Sequence, residues 1–244
     1  MKEMSGDGTI EVSVVLPCLN EERTLAACIQ SAWKALAAAG LSGEVVVADN
    51  GSTDRSREVA LENNARVVLV QAKGYGNALY NGLKQARGRY LVFLDADMSY
   101  EFDHIPRFVA KLKAGADLVM GSRFRGTIDP HAMPPLHRYL GTPVLTFLAN
   151  LFFGSRISDI NCGMRGLRKE LFERLRLRAG GMEFASELLI KAQLLKSRIE
   201  EVPTDLHPDQ GSASPICGPS ATAGGTCASC CCFARPGSSW SREA

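Results

Sequence analysis

The sequence predicts an α/β protein built on a mostly parallel sheet with helices packed on both faces. Three observations point there. Short β-rich apolar runs alternate with segments of helical period over the first 120 residues. The runs are apolar on both faces, as strands of a covered parallel sheet are. The chain of 244 residues, 45% hydrophobic and 22% charged, can bury a substantial core.

In order, Val12–Leu16 reads as a strand and Glu21–Ala39 as a helix, with Leu25, Cys28, Ile29, Ala32 and Leu36 on one side. Val45–Ala48 is a strand and Thr53–Asn63 a helix, entered through an Asn50-Gly51 turn signal with Ser52, Thr53 or Asp54 suited to cap it. Arg66–Val70, Tyr90–Leu94 and Leu118–Gly121 are strands, separated by helices at Gly76–Ala86 and Phe102–Leu112. Pro134-Pro135 then opens an apolar segment, Leu136–Gly154, too short to cross a bilayer but able to lie on one. A polar loop follows at 155–161, then a strand or hairpin at Cys162–Leu167. Helices at Lys169–Leu175 and Glu183–Leu195 and a strand at Ile199–Val202 complete the series.

In parallel sheets ligands bind beyond the carboxyl ends of the strands, which directs attention to the residues placed there. Pro17, Leu19, Asn20 and Glu21 follow the first strand; Asp49, Gly51 and Ser52 follow the second; Lys73, Gly74 and Gly76 follow the third. Asp95, Ala96 and Asp97 follow the fourth, Ser122 and Arg123 the fifth. Two carboxylates leaving a buried strand cannot both enter the core, and they stand where Mg²⁺ or Mn²⁺ bridges a diphosphate. Asp97 is the expected direct ligand, with Asp95 touching ribose or metal-bound water. An isolated pair of this kind is more often a solvated turn; the company of Asp49 and Asp54 favours a site. Asp49 ends its strand and is expected to accept hydrogen bonds from a base or ribose. Arg123, Arg125 and Arg165 are suited to bidentate capture of phosphate.

Other chemistries are excluded. Net charge is +2, which leaves no field for gathering nucleic acid. Gly74–Leu79 lacks the third glycine of a dinucleotide fingerprint. The four histidines, His104, His131, His137 and His207, show no metal spacing, and Cys227 with Cys230 lacks a second ligand pair. Residues 1–8 lack the pattern of a signal peptide, so a cytoplasmic location is expected.

Taken in order, VVLPCLNEERTL, VVVADNGSTDRS, AKGYGNALYNGLKQARGRYLVFLDADMSY, GSRFRG, DINCGMRG and GMEFASELLIKA resemble the family two glycosyltransferases of the GT-A fold. The likeness is greatest to the polyprenyl-phosphate sugar synthases typified by dolichol-phosphate mannosyltransferase and runs over about Val12–Asp209. It implies a nucleotide-sugar donor held by Pro17, Glu21 and Asp49, with Leu19, Asn20, Gly51, Ser52, Lys73, Gly74, Gly76, Asp95 and Ala96 around it. It implies a metal, Mg²⁺ or Mn²⁺, at Asp95 and Asp97, with Ser99 standing where relatives often carry Gln. Acceptor or diphosphate contacts fall near Ser122, Arg123 and Arg165, supported by Asp159, Gly163, Glu183 and Glu187. Glu183 and Glu187 are expected to orient the arginines.

A lipid monophosphate acceptor carries its own negative charge and attacks C1 without a general base, with inversion. The expected reaction is therefore transfer from a UDP- or GDP-sugar to a polyprenyl phosphate at the inner membrane face, residues 133–154 making peripheral contact. Two alternatives stand beside it: transfer to a hydroxyl of a polysaccharide or glycolipid, with Glu183 as base, and a catalytically impaired nucleotide-sugar-binding accessory protein.

Residues 1–210 are read as one domain. Beyond them, 211–244 hold only three charged residues, five of the eight cysteines and no hydrophobic period. Codons able to encode Pro215–Cys232 also permit, in a shifted frame, a basic stretch ending in leucines, as relatives have there. A frameshift near Gln210 that replaced a membrane anchor is the expectation; a genuine low-complexity tail is the alternative.

Overall fold

A computed structural model describes residues 10–154 and 156–210; the expectations for the tail lie outside them. The strands are β1 (Val12–Cys18), β2 (Gly43–Asp49), β3 (Arg66–Leu69), β4 (Tyr90–Phe93), β5 (Leu118–Ser122), β6 (Arg165–Arg168) and β7 (Ile199–Pro203). They form one sheet in the order β3-β2-β1-β4-β6-β5-β7, in which only β6 runs antiparallel to its neighbours. The helices are α1 (Leu25–Ala38), α2 (Ser56–Glu62), α3 (Tyr75–Gln85), α4 (Ile105–Lys113), α5 (Thr142–Phe153), α6 (Lys169–Leu175) and α7 (Phe184–Leu194). Side chains of α1, α2 and α4 build the core on one sheet face; those of α3, α5, α6 and α7 build the core on the other. The expected doubly covered sheet is present.

Three local departures have physical causes. The helix expected from Glu21 begins at Leu25, because residues 20–22 are tied to the loop after β2. There the Asn20 and Glu21 amides donate to Ser52 Oγ and Ser56 Oγ, and the Glu22 amide donates to Asp54. α2 begins at Ser56 rather than Thr53, with Asp54 Oδ1 accepting from both the amide and the hydroxyl of Ser56. Of the three residues suited to cap this helix, Asp54 is the one that meets its first turn. The third departure is that β4 and β5, joined through α4, are not neighbours. β6 lies between them, its residues Arg165–Leu167 paired to both strands.

α5 is inside out. Thr142, Thr146 and Asn150, at spacings of four, share one face of the helix. Thr146 Oγ1 accepts from the Ile160 amide, Thr142 Oγ1 accepts from Asn161, and the Asn150 side chain both donates to and accepts from the backbone of Ile157. The polar stripe therefore faces the protein. Leu136, Tyr139, Leu140, Phe147, Leu151 and Phe152, on α5 and the π-helical turn before it, are each more than half exposed.

Candidate functional site

The sheet order reverses at β1: the chain moves outward to β2 and β3, and α3 returns it to β4 on the other side. A crevice opens at such a switch point, above the carboxyl ends of β1 and β4. The residues after both strands meet there, since the Thr24 hydroxyl donates to the Ala96 carbonyl at 2.7 Å. Pro17 and Leu19 belong to the same turn of chain, with Pro17 buried at the end of β1.

Asp95 and Asp97 are buried, 7% and 5% exposed. Tyr75 OH donates to Asp95 Oδ1 at 3.0 Å, and the Ser99 amide donates to Asp97 Oδ1 at 2.9 Å. Asp95 Oδ2 and Ser99 Oγ have no hydrogen-bond partner among the described residues. Gly163 leaves space for the first of these: a Cβ there would collide with Asp95 Oδ2. Burial, then the charge of Asp97, pushes the Asp95 carboxyl up to about 7. Burial, then Asp97, Asp209 and Asp95, push Glu21 up to about 8. Asp97 is raised as well, first by burial and also by Asp209. Four carboxyl groups thus crowd one crevice, an arrangement that a divalent cation relieves. The orphaned Asp95 oxygen and this crowding fit the metal that the spacing predicted.

The second strand's residues are more inward-looking. Asp49, 1% exposed, accepts from the Ser52 and Gly51 amides and from Arg57 Nε at 2.6 Å. Asn20 Oδ1 accepts from the Thr53 amide, and Lys73 Nζ donates to the Asn50 carbonyl. Gly74 and Gly76 lie against the backbone of residues 179–181, close enough that a Cβ at either would collide with it.

The arginines divide. Arg123 is 1% exposed and donates through Nε (2.7 Å) and Nη2 (2.9 Å) to the two oxygens of the fully buried Asp159. Burial works against the charge of Arg123, but the pairing with Asp159 holds it above its ordinary range. Arg165, also 1% exposed, donates only to backbone carbonyls, those of Cys162, Ile160 and Ala185. No carboxylate pairs with it among the described residues. Arg125 is half exposed and pairs with Glu201. Ser122 Oγ bonds Ser158 Oγ.

Glu183 and Glu187 do not orient these arginines. Glu183 precedes α7 and accepts from the Gly181 amide, while Glu187 accepts from the Arg178 and Ala179 amides and pairs with Lys191. The α7 contact to Arg165 is made by backbone, through the Ala185 carbonyl.

Arg165 lines a cavity of about 250 Å³ with Tyr75, Phe93, Asn161, Gly163 and Met182, and the cavity runs out to His137, Gly141 and Leu145 at the apolar helix. Sequence reasoning missed Tyr75, Tyr100 and Asp209. Tyr75 lay inside a loop already singled out. The Tyr100 hydroxyl accepts from the Gly163 amide, a contact no local pattern announces.

Residues 13–176 match the family described as Glycosyl transferase family 2. The chain belongs to that family. A low-salt glycan biosynthesis hexosyltransferase of Haloferax volcanii is 42% identical over 86% of this chain and 52% of its own length. A dolichol-phosphate mannosyltransferase of Pyrococcus furiosus is 31% identical over 80% of this chain and 56% of its own. The chain thus spans about half the length of these curated relatives. Among solved structures, glucosyl-3-phosphoglycerate synthase from Mycobacterium tuberculosis, in complex with Mn²⁺, UDP and glucosyl-3-phosphoglycerate, superposes with a TM-score of 0.65. It is 26% identical, over 83% of this chain and 72% of that one. Fold and family agree: the chain carries the GT-A fold of the family 2 glycosyltransferases.

Proposed function

We propose that this family 2 glycosyltransferase moves a sugar, with inversion, from a UDP- or GDP-sugar to a polyprenyl phosphate at the cytoplasmic face of a membrane. The observation that carries the acceptor is Arg165. A buried guanidinium with five N–H groups, three of them spent on carbonyls and none on a carboxylate, keeps both charge and donors for an anion. It does so in a cavity whose far end opens at an apolar helix.

The inside-out α5 supplies the surface on which such a lipid lies. No helix among the described residues is long and apolar enough to cross a membrane, so contact through this segment is peripheral. The nucleotide-sugar donor occupies the crevice formed by the turns after β1, β2 and β4, as UDP-bound relatives of this fold support. Asp97 and Asp95 would hold Mg²⁺ or Mn²⁺, with Ser99 nearby; bound there, the ion supplies neutralisation of charge on the departing diphosphate. Tyr75 fixes Asp95 through one oxygen and leaves the other, beside Gly163, without a partner among the described residues. Arg165 holds the acceptor phosphate behind the anomeric carbon, and since that oxygen is already anionic the chain needs no general base. Transfer to a neutral hydroxyl would need one, and Glu183 is exposed and engaged at Gly181.

The test is transfer from a panel of radiolabelled UDP- and GDP-sugars to undecaprenyl phosphate in detergent with Mg²⁺ or Mn²⁺. Lipid-linked product is expected, abolished by Asp97→Ala with the fold intact by circular dichroism. Transfer only to hydroxyl acceptors, or unchanged activity in Asp97→Ala, would refute the reading.

A further inference from the structure

A second cluster of metal-ligand side chains lies beside the crevice, where the loop after β4 meets the segment after β7. Glu101, His104 and Asp205 each turn one donor atom inward, and the three atoms lie within 4.8 Å of one another. His104 is 4% exposed, and its Nδ1 has no hydrogen-bond partner among the described residues. Its Nε2 stands 3.4 Å from Asp205 Oδ2 and 3.7 Å from Glu101 Oε2. Those separations are long for hydrogen bonds. Two ligands that share a tetrahedral ion at about 2.0–2.2 Å stand roughly 3.3–3.6 Å apart.

The remaining oxygens are tethered. Asp205 Oδ1 accepts from the Thr127 amide at 2.6 Å, and Glu101 Oε1 faces His207 Nε2 at 3.2 Å. His207 Nδ1 faces Asp129 Oδ2 at 2.7 Å, so both of its nitrogens meet carboxylates. Through these two contacts His207 orients Glu101. Each carboxylate is thus held through one oxygen while the other points at the buried imidazole of His104, as outer partners hold ligands in metal sites.

We propose that Glu101, His104 and Asp205 form a second divalent-cation site, separate from Asp95 and Asp97, for an ion of borderline softness such as Zn²⁺. Its place in the fold gives it a task. The strap 204–210 spans both sides of the crevice: the Thr204 amide donates to the Ser122 carbonyl, the His207 amide to Ser99 and the Gln210 amide to Asp97. An ion joining Asp205 to Glu101 and His104 clamps that strap, and with it Asp209, against the carboxylates of the crevice. The proposal is independent of the donor and acceptor assigned above.

The test uses the full chain, stripped with EDTA and with accessible thiols blocked by iodoacetamide so that cysteines do not compete. Calorimetric titration with Zn²⁺, without nucleotide, is run in the Asp97→Ala background, where the crevice site is lost, and is expected to show one equivalent bound. Asp205→Asn, which keeps the side-chain shape and an acceptor for Thr127, is expected to bind at least about tenfold more weakly. His104→Gln is expected to follow it wherever circular dichroism shows it folded. Co²⁺ should give visible bands in the unsubstituted chain that Asp205→Asn loses. No saturable binding in Asp97→Ala, or equal affinity when Asp205→Asn is added to it, would overturn the site.

Discussion

Arg123 and Arg165 are both fully buried and both close to strand ends, yet their charges are disposed of differently. Arg123 meets Asp159 in a two-point ion pair. Arg165 is wrapped in carbonyls, with no carboxylate among the described residues, and lines an apolar cavity. Burial alone therefore does not mark a functional arginine. What marks it is charge left over after the protein's own partners are counted, because a buried ion costs several kcal/mol unless something answers it.

The comparison breaks if Asp159 is expendable. Asp159→Ala removes the carboxylate that answers the buried Arg123 and should destabilise the fold by about 3–5 kcal/mol, measured by denaturant unfolding. Arg165→Gln should do the reverse: transfer to the lipid phosphate falls by about 100-fold, as for loss of a preorganised donor, while unfolding shifts less than in Asp159→Ala. An equal stability loss in both variants would make the two arginines alike.

The crowded carboxylates give a smaller, pH-dependent effect. Asp95 rises from 3.8 to about 7 and Glu21 from 4.5 to about 8 in the folded chain. The unfolded chain releases these protons first, so the stability they lend is full below about pH 4 and is lost as pH climbs toward 7–8. In EDTA the Tm should therefore fall between pH 5 and pH 8, and Mn²⁺ should restore most of it at pH 8. The smallest expected effect is that of Glu183→Gln, which should leave transfer within about twofold, as for a surface substitution away from the reacting atoms. A large loss would revive the hydroxyl-acceptor reading.

Much of this was legible in the sequence. All seven strands were expected within a few residues, because period-two and fully apolar runs are local signals. The site-bearing turns followed, since a parallel sheet places them. What was not legible is non-local. β6 enters between β4 and β5 through pairing partners 72 and 45 residues away in the chain, Phe93 and Met120 opposite Arg165. Asp209 reaches the acidic crevice because the strap bonds to Ser99 and Asp97, not because of any spacing to them. The histidines show no metal spacing in the sequence, yet His104 meets Asp205 across about a hundred residues of chain. Glu183 and Glu187 were misread for the same reason: their i, i+4 relation says which way they face on a helix, not that residues 178–181 fold back to meet them.

The central claim is that Arg165 holds the acceptor's phosphate. Calorimetric titration of a short-chain isoprenyl monophosphate into the unsubstituted chain and Arg165→Gln, in parallel with UDP and GDP titrations, tests it most directly. The account predicts isoprenyl phosphate affinity at least about tenfold weaker in Arg165→Gln, the effect of losing one charged hydrogen-bonding partner, with nucleotide binding unchanged. Equal isoprenyl phosphate binding in the two proteins, or equal loss of both ligands, would contradict it.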